Sequence, residues 1–316
     1  MLSAARARRS LLRLTSLTIG VTVTLWTAAS AAQSPALYGP TSRFWMRNVV
    51  MFPFDNAPAR IVRLSGTGVP TRRGGVIDLN DVTSYAVQVR RAEVVMPAAT
   101  MQALMNQYIL VNAGTAIKTV RITFGNGVIV MRGTIQKGVP IGFVAQAVAA
   151  PAPNGELRIT VTKMKTAGLI PKGVMDALGL KMSRVAQPDN REVFRIVGDT
   201  MIMPVSSMFP PPKFFGPLQS VRVTPQGMIA VIGNGRHDTP GRLGPEPYIH
   251  MAGGRVRFAR LTMSPVELTI VPRKSATTLG FSPRNYYRQL TAGYSISQPD
   301  GGLVGHVADY RSLPRR

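Results

Sequence analysis

Apolar and polar positions between Tyr85 and Ile135 follow a pattern that predicts a strand, a helix and a hairpin in succession. Tyr85, Val87 and Val89 recur at every second position, as on the dry face of a strand. After Pro97, apolar residues recur at spacings of three and four, which is typical of an amphipathic helix. The apolar side of that helix consists of Met101, Leu104, Met105, Tyr108 and Val111.

A hairpin is predicted directly after this helix. Val120, Ile122 and Phe124 alternate with polar residues and occupy one side of its first strand. Gly125-Asn126-Gly127 supplies the turn, and residues 128–135 form the return strand. A strand, a helix and a hairpin in this order predict an α+β fold, with a curved antiparallel β-sheet wrapped around one main helix. Periodicity alone favours an ordinary packed core for this apolar interior, because most Met and Leu stripes at helical spacing are packing.

A second, shorter helix is predicted further along the chain. Residues 139–149 and 156–163 predict another hairpin, in which apolar and polar positions again alternate. Residues 171–180 predict a short helix, and Met175 and Leu178 lie on its apolar side. The curved sheet is expected to wrap around this shorter second helix as well as the main helix.

The second half of the chain repeats part of this pattern. Residues 218–224 and 227–233 resemble the first hairpin, which indicates a weak internal duplication. Residues 255–263 and 266–271 predict late strands, and residues 282–290 predict a short helix.

Four segments follow from these patterns. They are an export signal at 1–32, an N-terminal strap or tether at 33–59, the α+β domain at 60–235, and a C-terminal extension of unknown role at 236–316. The α+β domain begins with a short strand at residues 60–64 and a turn-rich loop at residues 66–75.

The first 32 residues have the composition of an export signal. Four arginines precede an apolar run at residues 14–26, and small residues follow at 28–32, so cleavage is expected after Ala31 or Ala32. The segment Arg8 to Arg13 resembles a twin-arginine motif. We therefore expect an exported protein of the periplasm or cell envelope. The alternative is an uncleaved segment that anchors the protein in a membrane.

The net charge of +24 indicates an anionic partner. Removal of the leader takes away four arginines and no acid, so the charge falls to +20. In an exported protein, this surplus favours an anionic lipid or a membrane surface. The alternative is a soluble protein whose charge is spread thinly. No nucleic acid partner is expected, because recognition motifs are missing and export removes the protein from DNA. The oligomeric state is left open.

The sequence offers no catalytic motif. It contains no cysteine, no Gly-x-Ser-x-Gly elbow, no phosphate loop and no His-Glu-x-x-His pair. His237 and Asp238 are adjacent, but they lie in a stretch rich in Gly and Pro, which is typical of a solvated turn. We therefore predict no catalytic residue, metal or cofactor. A hydrolase that uses two acids brought together by folding is an alternative.

One short segment combines aromatic rings with a cation next to three prolines. Phe209, Lys213, Phe214 and Phe215 would contact a membrane if the rings entered the lipid while the lysine met a phosphate. The alternative is a helix stop that leads into a buried strand.

Several stretches together resemble a known family. They are Val94 to Pro97 with the following helix, the 120–133 hairpin, the 155–165 strand, and residues 167–171 and 173–180. Across about residues 60–235 the chain is similar to bacterial cell-envelope proteins of the TULIP (tubular lipid-binding) superfamily. That resemblance implies acyl chains held between a curved sheet and a helix. It implies the lining residues Met101, Leu104, Met105, Tyr108, Val120, Ile122, Phe124, Met175 and Leu178.

The expected function is therefore non-enzymatic binding or transfer of an anionic, phospholipid-like lipid in the cell envelope. A groove rich in methionine suits flexible chains, because methionine adapts to irregular space. The first alternative is a structural or adaptor protein whose core is filled and holds no ligand. The second is an envelope hydrolase. An apolar cavity open to the surface would favour lipid binding, and a packed interior would favour the adaptor.

Overall fold

The computed structural model shows a mostly β protein with open, uncurled sheets and short helices. About half of the chain is in strands, and an α+β class is consistent with this content. The sequence predicts a curved sheet wrapped around the main helix, but the sheets observed do not curl. The structure describes residues 38–137, 139–166, 188–241 and 246–314.

Two predicted elements lie outside the described residues. They are the export signal at 1–32 and the second helix at 171–180, with its Met175 and Leu178. No helix in the described ranges is long and apolar enough to cross a membrane.

The strands are short and numerous, as the many turn residues indicate. In chain order they are β1 (Ser42–Met51), β2 (Ala59–Pro70), β3 (Ile77–Asp78), β4 (Tyr85–Met96), β5 (Ile117–Phe124), β6 (Ile129–Lys137), β7 (Val139–Pro151), β8 (Leu157–Thr166), β9 (Arg195–Val197), β10 (Thr200–Met203), β11 (Lys213–Phe215), β12 (Leu218–Thr224), β13 (Gly227–Ile232), β14 (Tyr248–Ala252), β15 (Val256–Phe258), β16 (Leu261–Met263), β17 (Glu267–Pro272), β18 (Leu279–Phe281), β19 (Tyr294–Ser297) and β20 (Leu303–Val307).

The helical elements are also short. They are α1 (Ala98–Leu104), a π-helical turn (Met105–Ile109), α2 (Leu110–Ala113) and α3 (Tyr286–Thr291), with 3₁₀ turns at Val205–Ser207, Pro283–Asn285 and Tyr310–Ser312.

The largest sheet has eleven strands and joins the two ends of the described chain. Its order is β12-β13-β4-β2-β1-β14-β17-β20-β19, with β11 beside β4 and β18 beside β1. The strand β1 pairs antiparallel with β2 on one edge and with β14 on the other. The sequence predicts a strap or tether at residues 33–59, but residues 42–51 form a central strand. Phe44 and Met46 are buried there, which explains the aromatic and apolar content of the segment.

The C-terminal extension belongs to the same sheet. Arg43 of β1 lies opposite Ala252 of β14, and Val49 lies beside Leu279 of β18 in a parallel pair. The predicted boundary near residue 235 therefore does not separate two sheets. Long-range pairing of this kind leaves no local sequence signal.

Half of the predicted loop at residues 66–75 is strand, because β2 continues to Pro70. The sequence places Gly66 in that loop. In the structure, a Cβ atom on Gly66 would lie 2.5 Å from the carbonyl oxygen of Gln88 on β4. The glycine therefore permits close approach of two strands at an irregular point in their register.

A second sheet of six strands has the order β5-β6-β7-β8-β10-β9. Both hairpins predicted in this region are present, since β5 pairs with β6 and β7 with β8. The β12–β13 hairpin, which resembles β5–β6 in sequence, lies in the eleven-stranded sheet instead. A small third sheet has the order β16-β15-β3.

The main helix covers the free edge of β5. Asn106 accepts a hydrogen bond from the backbone N–H of Val120 and donates one to its carbonyl oxygen, both at 2.8 Å. Gln102 accepts from the N–H of Ile122 at 3.0 Å. These side chains satisfy backbone groups that an edge strand otherwise exposes. They also fix the rotation of the helix against the sheet.

The π-helical turn changes which helical residues are buried. The predicted apolar side includes Val111, but that side chain is 69% exposed. Leu110 and Ala113 are buried instead. A π-helical turn contains more residues than an α-helical turn, so positions after it rotate away from the regular stripe. The helix ends at Gly114, whose φ of 63° is left-handed.

The buried helix positions contribute to stability, whereas Val111 does not. The Leu104 side chain is 1% exposed, and we expect Leu104→Ala to lower the free energy of unfolding by about 3 kcal/mol. The matched change Val111→Ala is expected to stay within about 0.5 kcal/mol of wild type. Urea unfolding followed by circular dichroism measures both. Equal losses would contradict the observed rotation of the helix.

Candidate functional site

A cleft of about 530 Å³ opens beside the main helix. Its walls come from the π-helical turn, the turn between β7 and β8, and the segment around Val205 to Gly216. Pockets of roughly 300–1,000 Å³ are typical of small-molecule sites. The side chains that matter most for its chemistry are those of Tyr108, Asn112, Glu156, Arg195 and Lys213.

Lys213 supplies a half-buried ammonium group to this cleft. It begins β11, which pairs in parallel with β4 and places Lys213 beside Ala86. Its Nζ atom donates to the hydroxyl of Tyr108 and, at 3.1 Å, to the carbonyl oxygen of Phe209. The same atom lies 4.9 Å from the centroid of the Tyr108 ring. Within the described ranges no carboxylate lies within 4.0 Å of it.

Tyr108 reaches the cleft from the π-helical turn at Met105–Ile109. Such turns are rare and occur often at functional sites, because they redirect side chains out of the regular helical stripe. Met105 and Ile109 of the same turn remain buried. The turn therefore holds its apolar residues in the core while Tyr108 contacts Lys213.

Glu156 and Arg195 form a second charged group in the cleft, and it is neutralised internally. Arg195 Nη1 donates to Glu156 Oε1 at 2.8 Å, and Arg195 Nη2 donates to Oε2 at 2.5 Å. Asn154 Nδ2 donates to the same Oε2. The hydrogen bonds from Arg195 hold the pKa of Glu156 below its usual value, and Glu156 raises the pKa of Arg195. This pair joins the β7–β8 turn to β9.

Lys213 and Arg195 differ in how their charges are matched within the cleft, which Arg191 and Glu192 also line. The charge of Arg195 is matched by Glu156, whereas Lys213 contacts a neutral hydroxyl and a carbonyl oxygen. An incoming carboxylate or phosphate would complete the pairing of Lys213. No group of three His, Asp or Glu side chains that could hold a metal ion occurs among the described residues.

The predicted lipid-lining residues lie mostly in the packed core. Met101, Leu104, Met105, Val120 and Ile122 are at most 5% exposed and belong to one large cluster of buried side chains. Tyr108 and Phe124 are partly buried against that cluster. Of these seven residues, Tyr108 alone lines the cleft. Met175 and Leu178 lie outside the described residues.

The apolar cavities found in the described interior are small. One of about 20 Å³ and one of about 30 Å³ flank Phe214 on the face of the eleven-stranded sheet. Each has room for one or two water molecules at most. An acyl chain does not fit in either.

The segment proposed for membrane contact is packed against the sheet. Phe214 is 9% exposed, and Phe209 meets it edge to face with ring centroids 6.4 Å apart. Lys213 and Phe215 line the cleft. Phe214 thus occupies a buried strand position, as in the alternative interpretation, because pairing of β11 with β4 draws it inward. Phe209, Lys213 and Phe215 are half-buried.

The adjacent His237 and Asp238 lie in surroundings rich in arginine. Asp238 accepts a hydrogen bond from Trp45 Nε1 at 3.1 Å and lies 3.9 Å from Arg90. Burial and nearby arginines lower the pKa of His237. His250 is buried, and its pKa is lowered to about 4 by that burial. Both histidines are therefore surrounded by packed side chains and by nearby arginines.

Sequence reasoning missed the Glu156–Arg195 pair. Glu156 lies in the turn between β7 and β8 and Arg195 lies on β9, and only the tertiary fold brings them together. A local signal was present, because Asn154-Gly155-Glu156 forms a turn in which Gly155 has φ of 77°. A buried carboxylate at such a turn requires a cation nearby.

Comparisons of this chain with protein-family models, with curated proteins and with solved structures found no match.

The Glu156–Arg195 pair is expected to stabilise the protein at neutral pH. Glu156→Gln should lower the free energy of unfolding by about 2 kcal/mol, since a charge-assisted hydrogen-bonded pair is lost. The pKa of Glu156 is lower in the folded state than its usual 4.5. Its contribution is therefore present above pH 4.5 and is lost as the pH falls through the folded-state pKa.

Urea unfolding at a series of pH values measures this effect. The stabilities of the wild type and Glu156→Gln should begin to converge as the pH falls below 4.5, and should meet below the folded-state pKa of Glu156. Glu192→Gln is the matched control, because that carboxylate is exposed and has no ion pair among the described residues. A constant difference across the whole pH range would contradict the assignment.

Proposed function

We propose that this protein is a non-enzymatic binding protein of the cell envelope that holds an anionic group in the cleft beside Lys213. The observation that carries the proposal is the half-buried ammonium group, whose described partners are a hydroxyl and a carbonyl oxygen. A phosphate or carboxylate would supply the missing negative charge. The cell-envelope location rests on the composition of residues 1–32.

The electrostatics of the cleft and of the whole chain support an anionic ligand. Arg195 neutralises Glu156, so that carboxylate does not oppose an incoming anion. The net charge of +24 creates a long-range field that attracts anions. The hydroxyl of Tyr108 is placed to orient the ligand, because it already contacts Lys213 Nζ.

An anionic lipid remains our preferred ligand class, with its headgroup in the cleft. The resemblance to TULIP proteins also implies a groove for acyl chains, and that groove stays a prediction. In the described interior, cavities of about 20 and 30 Å³ cannot hold such chains. Hiding each methylene from water is worth about 0.8 kcal/mol, so exposed chains would weaken binding to a soluble carrier.

The filled core favours a second candidate, an adaptor protein of the envelope that carries no lipid. Its support is the single large cluster of buried side chains that joins the main helix to the sheets. In this case the cleft would bind an acidic side chain or a terminal carboxylate of a partner protein.

Binding of a small phosphate compound is expected to require Lys213. Titration calorimetry with dihexanoyl phosphatidic acid, below the concentration at which it forms micelles, should show at least about a tenfold loss of affinity for Lys213→Met. Lys274→Met is the matched control, because that lysine is exposed and does not line the cleft. Equal affinity of both variants and wild type would contradict the proposal.

Mass spectrometry of organic extracts from the purified protein distinguishes the two candidates. A lipid carrier is expected to release about one phospholipid per chain, because its acyl chains are shielded from water. An adaptor is expected to release none. The Lys213→Met variant, purified under the same conditions, is the comparison. If lipid is found with the wild type, its loss from this variant would show that the cleft holds it.

A further inference from the structure

The outward face of the six-stranded sheet carries cations and no acids. The strands β5 to β10 contain no Asp or Glu. None of their exposed cations has an ion pair among the described residues. These cations are Lys118, Arg121, Arg132, Arg158, Lys163 and Lys165. We call them the cationic face.

The strand register places these cations in a compact array. Arg121 of β5 lies opposite Arg132 of β6, and across β7 the residue opposite Val144 is Lys165 of β8. Adjacent strands are about 4.8 Å apart, so this row spans roughly 14 Å. Lys163 adds a second row about 7 Å away along its strand.

This array lowers the stability of the sheet, and the fold itself gives no reason for it. Like charges directly opposite each other on an antiparallel pair destabilise a sheet, and Arg121 and Arg132 stand in this relation. Several arginines elsewhere in the described chain pair with acids. Arg47 lies 2.6 Å from Glu246, for example, and Arg63 lies 3.5 Å from Glu93. An external anionic partner would relieve the repulsion on the cationic face.

We infer that the cationic face docks on the surface of an anionic lipid bilayer. The face is a two-dimensional array on an open sheet, and a bilayer presents negative headgroups in two dimensions. Val144 and Val148 are exposed between the cations and add shallow apolar contact. The strands of this sheet expose no aromatic side chain, so the face lacks the stacking platforms that bind single-stranded nucleic acid. This inference does not depend on the cleft.

Docking would hold the protein at the bilayer surface without inserting it into the hydrocarbon. Each Lys or Arg near an anionic surface contributes favourably, and the attraction falls off within a Debye length of about 8 Å at physiological salt. The long side chains can reach headgroups while the sheet stays outside the hydrocarbon. Binding is therefore expected to be reversible and to weaken as salt rises.

The test uses the full-length chain and sedimentation of vesicles. One vesicle type contains phosphatidylcholine alone, and the other contains 30% phosphatidylglycerol. The quadruple variant Arg121→Gln, Arg132→Gln, Lys163→Gln and Lys165→Gln should lose about a hundredfold in partitioning to the anionic vesicles. The difference between the two vesicle types isolates the electrostatic part from any apolar binding by the N-terminal segment.

The matched control removes the same charge from other surfaces, with Arg73→Gln, Arg255→Gln, Arg260→Gln and Lys274→Gln. These side chains are exposed and lie outside the six-stranded sheet. The control should retain nearly all of the binding and the urea midpoint of wild type. The quadruple variant should unfold at a urea midpoint no lower than that of wild type, because the repulsion between Arg121 and Arg132 is removed. Equal losses in the two variants would show that net charge alone acts, which overturns the inference.

Two other outcomes would also overturn it. Unchanged partitioning of the quadruple variant would show that the cationic face does not contact the bilayer. Binding of a single-stranded oligonucleotide that depends on the four cations, without binding to anionic vesicles, would assign the face to a nucleic acid instead.

Discussion

The structure depends on the long-range pairing of β1 with strands from both ends of the chain. β1 forms backbone hydrogen bonds with β2, β14 and β18, so it joins the N-terminal and C-terminal parts of the eleven-stranded sheet. Closing a long loop costs entropy that grows only slowly with its length. The buried side chains of Phe44, Met46 and Val49 offset that cost. Without β1, the sheet would divide into two parts.

The same sheet positions the candidate site. β4 pairs with β2 on one edge, and β11 joins it in parallel, which sets Lys213 next to the helix that carries Tyr108. On the other wall, Glu156 and Arg195 neutralise each other. Arg195 is therefore matched by the fold, whereas no described carboxylate lies within 4.0 Å of Lys213. A half-buried ammonium group without a counter-ion is costly, so its presence in a cleft supports a binding role.

The two large sheets differ in how their charged side chains are paired. Several arginines around the eleven-stranded sheet form ion pairs, such as Arg47 with Glu246 and Arg90 with Asp238. The six-stranded sheet has no acid in its strands. Six of the unpaired cations of the described chain therefore share one open face, and others, such as Arg73 and Arg255, lie elsewhere on the surface. The proposed docking face and the proposed anion site are both consistent with a role at an anionic surface.

The sequence by itself determined the local elements of this protein. Neighbouring residues decide whether a segment forms a strand, a helix or a hairpin, so these elements can be predicted from the sequence. The signals are the alternation at Tyr85 to Val89, the helical stripe from Met101 and the Gly125-Asn126-Gly127 turn. Only the tertiary structure decided the central place of β1, the rotation of Val111 outward and the meeting of Lys213 with Tyr108. The tertiary structure also decided that Arg121 lies opposite Arg132. These features depend on strand register and on contacts between distant residues, and a period read along one segment carries no information about either.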